Sequence, residues 1–110
     1  MKRSILAATA LLSACSPVPH KFVVDVENAA VPVTSADVSI CGEAAKPLHR
    51  SGTQFSGVVA NRCEGEGNIR LKFADGTVAD CPIGYVTTLE DQWKFKVRGR
   101  SCVPVEMVPV

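Results

Sequence analysis

The sequence predicts an all-β fold: a small antiparallel β-sandwich of six or seven strands held by two disulfides, with a small closed β-barrel as the alternative. Three observations predict it. Apolar and polar residues alternate with a period of two, in segments separated by turn formers at roughly ten-residue spacing. No stretch beyond the first 14 residues carries a 3.6-residue apolar period. Four cysteines, Cys41, Cys63, Cys81 and Cys102, lie 22, 18 and 21 residues apart, without the short spacings a zinc site uses.

The elements follow in order. Residues 20–28 are β-branched and aromatic and end in a turn former, so they read as the first strand. Residues 33–41 alternate, with Ala36, Val38 and Ile40 on one side. Residues 42–53 hold Pro47, two glycines and no clear period, and read as a loop. Residues 54–63 place Phe55, Gly57 and Val59 on one face, and the Glu-Gly-Glu-Gly run at 64–67 reads as a turn. In residues 68–76, Ile69, Leu71 and Phe73 point one way and Arg70 and Lys72 the other, and Asp75-Gly76 marks a tight hairpin. Residues 77–87 place Ala79, Cys81, Ile83 and Tyr85 on one face. Pro82 cannot donate to a ladder and puts this strand at an edge, and Gly84 beside it suggests a bulge. Residues 91–99 turn Trp93, Phe95 and Val97 inward and Lys94, Lys96 and Arg98 outward. A last short strand covers 102–107, weakened by Pro104.

Four cysteines allow three connectivities. Counting strand ends in an up-and-down order puts Cys102 beside Cys41 and Cys81 opposite Cys63, so Cys41–Cys102 and Cys63–Cys81 is the expected pairing. Each bond is worth roughly 2–4 kcal/mol. In an exported chain of this size such staples supplement a limited core.

The N-terminus carries an address. Lys2 and Arg3 precede an apolar run of eight residues, Ile5 to Leu12. A spanning helix needs roughly 20, so the run matches the core of a secretory signal instead. It ends in Leu12-Ser13-Ala14-Cys15, which resembles the lipobox of bacterial lipoproteins at all four positions. The resemblance implies diacylglyceryl attachment at Cys15, cleavage before it and acylation of the new amine. Each buried methylene adds about 0.8 kcal/mol, so several chains on one cysteine anchor the protein permanently. Ser16, by the same resemblance, implies the periplasmic face of the outer membrane. The expected organisation is a signal over 1–14, a lipidated cysteine with a proline-containing tether over 15–19, and a sandwich domain over 20–110. The tether reaches at most about 15–18 Å, which keeps the domain against the membrane.

Charge and chemistry narrow the function further. The chain has 12 Lys plus Arg and 11 Asp plus Glu, and losing Lys2 and Arg3 leaves 10 against 11, a net charge of −1. That balance argues against electrostatic nucleic-acid binding. His20 lies beside the tether, and Ser51, two residues from His49, reads as a turn residue. Glu64, Glu66, Glu90 and Asp91 fall in turns, where carboxylates are solvated rather than tuned for acid–base work. No EF-hand spacing accompanies Glu64 and Glu66. The expectation is therefore no enzyme, no cofactor and no metal. One candidate surface stands out. Arg70, Lys72, Lys94, Lys96, Arg98 and Arg100 would line one face for an anionic partner if their strands share a sheet. Tyr85 suits a corner hydrogen bond, and Trp93, the single tryptophan, suits a core anchor rather than a sugar platform.

The strand pattern looks like the immunoglobulin-like and transthyretin-like modules of bacterial envelope lipoproteins, in architecture alone. The expected role is a non-enzymatic binding or structural accessory, anchored through Cys15 and open to an envelope protein partner. Two alternatives stand beside it. One is a component of a multi-protein envelope or secretion assembly; the outer-membrane lipoprotein of type VI secretion has a similar sandwich but is longer. The other is a periplasmic hydrolase inhibitor; lysozyme-inhibitor lipoproteins are similar in size, but their serine-glycine and tyrosine-tryptophan signatures do not match here.

Overall fold

A computed structural model describes the backbone of residues 17–109 and the side chains of residues 17–105. The signal segment 1–14 and the lipidation residue Cys15 lie outside the described residues. Nine strands follow: β1 (Val18–Ala29), β2 (Val33–Ile40), β3 (Lys46–Pro47), β4 (His49–Ser51), β5 (Gln54–Asn61), β6 (Gly65–Phe73), β7 (Val78–Val86), β8 (Asp91–Gly99) and β9 (Ser101–Pro109). They form two sheets, ordered β4-β5-β1-β8-β9 and β3-β2-β6-β7. Each sheet keeps free edges, so the fold is a sandwich and not a closed barrel. Among the described residues no helix is long and apolar enough to cross a membrane.

The alternation read from the sequence becomes the two inner faces. The five-stranded sheet contributes Phe22, Val24, Phe55, Val59, Phe95 and Val97 to the core. The four-stranded sheet contributes Ala36, Val38, Ile40, Ile69, Leu71, Phe73, Cys81 and Ile83. Pro82 does sit in an edge strand, and the pairing of β6 with β7 shifts by one residue at Gly67/Asn68, opposite Gly84 at φ 84°. This bulge resets the phase. Tyr85 is 60% exposed and Val86 fully buried, so Tyr85 does not share the inward face expected of it.

Three boundaries differ from the sequence reading. β1 already begins at Val18, so Val18 and Pro19, read as tether, pair with Asn61 and Ala60. The Glu-Gly-Glu-Gly run is strand rather than turn: Gly65, Glu66 and Gly67 pair with Val86, Tyr85 and Gly84. Glycine is needed there for close approach, since a Cβ on Gly65 would meet Cys41 Sγ at 2.8 Å. The stretch 42–53 is not simply a loop. β3 pairs with β2, Leu48 buries against Gly57, and β4 pairs with β5, so the segment carries the chain from one sheet to the other.

That crossing overturns the expected disulfide pairing. β3 and β4 return the chain to the far end of the sandwich before β5 starts, so β2 and β5 finish at the same end. β1 and β8 run parallel at the centre of their sheet, which an up-and-down order does not contain. The disulfides are therefore Cys41–Cys63 and Cys81–Cys102, with Cα separations of 6.5 and 5.2 Å. Both join one sheet to the other. The first clasps the β2/β5 side and the second the β7/β9 side.

Candidate functional site

The end of the sandwich where β1 begins gathers the buried polar side chains. His20, Asn61 and Asp91 are the buried polar residues among those described, and all three sit there. The local cause is periodicity. His20 shares the inward phase of Phe22 and Val24, and Asp91 that of Phe95 and Val97. Parallel pairing of β1 with β8 sets His20 opposite Asp91. His20 Nδ1 lies 2.8 Å from Asp91 Oδ1, and the imidazole is completely buried. The remaining ring nitrogen, Nε2, and the Trp93 indole N–H are buried without a partner. Trp93 is half-buried against the core, as an anchor would be. The sequence contained the signal for His20, because the alternation that buries Phe22 extends two residues back. Its neighbours in sequence, the prolines of the tether, pointed elsewhere.

At the same end lies a cleft of about 480 Å³ lined by Pro17, Glu43, Ala60, Asn61, Arg62 and Cys63. Asn61 organises it: its Nδ2 donates to Glu43 Oε1 at 2.8 Å, and its Oδ1 accepts the Cys63 N–H. Cys41 and Gly42 have φ of 57° and 73°, and the Glu43 N–H donates to the Ile40 carbonyl at 3.0 Å, closing the turn beside the disulfide. Among the described residues no group of three or more His, Cys, Asp or Glu side chains is placed to hold a metal. His49 and Ser51 are exposed on β4, and Glu64, Glu66 and Glu90 are exposed at this end.

The six cations do not share a face. Arg70 and Lys72 project from β6 in one sheet, whereas Lys94, Lys96 and Arg98 project from β8 in the other. Acidic neighbours meet most of them: Arg70 lies 3.6 Å from Asp80, and Lys96 and Arg98 lie 3.2 and 3.5 Å from Glu27. The continuous basic surface read from the sequence is therefore absent.

Arg100 has a structural task at the opposite end. It binds the Asp75 carboxylate at 2.6 Å and the Thr77 hydroxyl at 2.6 Å, and stacks over the Phe73 ring at 5.6 Å. It thereby ties the β6–β7 hairpin turn to the β8–β9 turn. The guanidinium, helped by the Thr77 hydroxyl and amide, holds the Asp75 carboxyl well below the usual carboxylate range. A depressed native pKa adds stability above the ordinary value of 3.8 and loses it as the pH falls below that value. The margin of the wild type over Arg100→Ala in urea unfolding is therefore expected to narrow as the pH is lowered from about 5 to about 2. A constant margin would show that the Asp75–Arg100 pair contributes nothing.

No protein-family model matches the sequence, and no curated protein matches it. Among solved structures, the fold is similar to that of the tip fimbrial protein Mfa3 from Porphyromonas gingivalis with C-terminal truncation, at a TM-score of 0.62 and 12% identity. The match covers 84% of this chain and 52% of that one, so this chain spans about half the length of the protein it resembles. At that identity the likeness is one of fold alone.

Proposed function

We propose that this protein is a non-enzymatic lipoprotein of the cell envelope, anchored through Cys15 and serving as a structural or binding accessory in a surface assembly. The observation that carries the reading is the position of Cys15 at the end of a complete lipobox, three residues before β1 starts at Val18. With so short a link, the end bearing His20, Asp91 and the Cys63 cleft faces the membrane, and the Arg100 end faces away. The fold likeness to a fimbrial tip protein supports a role in an assembly. Two ionisable pairs are committed to the fold, His20 with Asp91 and Asp75 with Arg100. The periplasmic face of the outer membrane is the location that Ser16 favours.

Metabolic labelling with a palmitate analogue tests the anchor. Wild-type protein is expected to carry the label and to fractionate with membranes, whereas Cys15→Ser is expected to do neither. Equal labelling of both would remove the lipoprotein reading.

A further inference from the structure

We infer that Cys41–Cys63 is a thiol–disulfide exchange site, opened at Cys63 by a thiolate reductant while Cys81–Cys102 stays closed. The two bonds differ in one half. Cys81 is completely buried in the core, whereas Cys41, Cys63 and Cys102 are partly buried, Cys41 and Cys102 packed against that core. Cys63 instead lines the cleft of about 480 Å³, with Arg62 and Glu43 on its walls. Exchange needs access for an attacking thiolate: burial closes Cys81, no such cleft opens on Cys102 among the described residues, and Cys63 lines an open cleft, so the first bond is the more accessible.

The two sulfurs of the exposed bond also differ. The β6 backbone lies on Cys41 Sγ, where a Cβ added to Gly65 would come within 2.8 Å. The β6 backbone therefore crowds one side of Cys41, whereas Cys63 faces the cleft, and Cys63 is the sulfur we assign as the electrophile. A thiolate forms a bond to Cys63 Sγ as the Cys63–Cys41 bond breaks, and the electron pair leaves on Cys41 as a thiolate. A second thiol of the reductant then attacks the reductant's own sulfur in the mixed disulfide and releases Cys63 as a thiolate. The reductant leaves oxidised, two electrons pass to the protein, and both thiolates take protons from solvent.

The surroundings keep the pair ready to close again. The Cys41 N–H donates to the Glu66 carbonyl at 2.8 Å, and the Cys63 N–H donates to Asn61 Oδ1. Neither bond involves sulfur, so both cysteines hold their places after reduction. The inference does not need the lipid anchor, but Pro17 lines the cleft, so an anchor at Cys15 would set the membrane beside it and favour a small thiol reductant.

The exported protein, incubated with dithiothreitol under native conditions and quenched with N-ethylmaleimide, reports the order of opening by peptide mass spectrometry. Cys41 and Cys63 are expected to be alkylated at least about tenfold faster than Cys81 and Cys102. The rate should rise in proportion to thiolate and stay unchanged in sub-denaturing urea. In a second arm, Cys63 of a Cys41→Ser variant is expected to accept glutathione from glutathione disulfide at least about tenfold faster than Cys41 of a Cys63→Ser variant. Simultaneous opening of both disulfides, acceleration by urea, or earlier opening of Cys81–Cys102 would overturn the assignment; equal glutathione uptake by the two variants would overturn the choice of Cys63.

Discussion

Replacing all four bridging cysteines by alanine is expected to remove about 6 kcal/mol of stability, most of what a domain of this size holds. The estimate is about 3 kcal/mol for each bond. The closed loops are alike, with sequence separations of 22 and 21 residues. They do not overlap along the chain, and the bonds clasp opposite sides of the sandwich. Their effects should therefore add. Each single-bond variant, Cys41→Ala/Cys63→Ala or Cys81→Ala/Cys102→Ala, should unfold roughly 10–25 °C below the wild type. Calorimetry on the three variants checks the claim. A quadruple variant melting within a few degrees of the wild type would mean that the core alone holds the two sheets together.

Asp91→Ala is expected to cost about 3 kcal/mol, although it removes only a small side chain. His20 is completely buried, and among the described residues the only hydrogen-bond partner of its ring is Asp91. Without the carboxylate, neither ring nitrogen has a partner, and the penalty is that of a stranded buried polar group rather than of lost contact area. The double variant His20→Leu/Asp91→Leu should recover much of the loss, because it removes both polar groups and keeps apolar volume. A double-mutant cycle in urea measures this coupling. Strict additivity of the two single changes would show that His20 and Asp91 do not depend on each other. The result bears on the proposed function as well, since this pair lies at the end of the domain that we propose faces the membrane.

Much of the fold was legible residue by residue. Ile69, Leu71 and Phe73 alternate with Arg70 and Lys72, and the structure buries the first three and exposes the last two. The Asp75-Gly76 turn forms as read, with Gly76 at φ 90° and its N–H donating to the Phe73 carbonyl. Such signals are local: a period of two needs only one buried face, and a tight turn needs only a residue that tolerates positive φ. β3 and β4 were not legible, because two or three residues are too few to show a period. Gly65 and Gly67 read as turn because their reason for being glycine, the approach of Cys41 and Ile83, comes from the neighbouring strands of the sheet, distant in sequence.

By itself, then, the sequence determined that the chain makes short, one-sided strands, that four of its cysteines bond in pairs, and that a stretch resembling a lipobox precedes them. Which strands neighbour which was decided by the tertiary structure alone. The parallel pairing of β1 with β8 and the crossing at Leu48 set the disulfide partners, brought His20 to Asp91, and divided the basic residues between two opposite faces. The physical reason is that alternation fixes which side of a strand is apolar, whereas strand order follows from how two whole apolar faces close on each other, and that choice is written in no single segment.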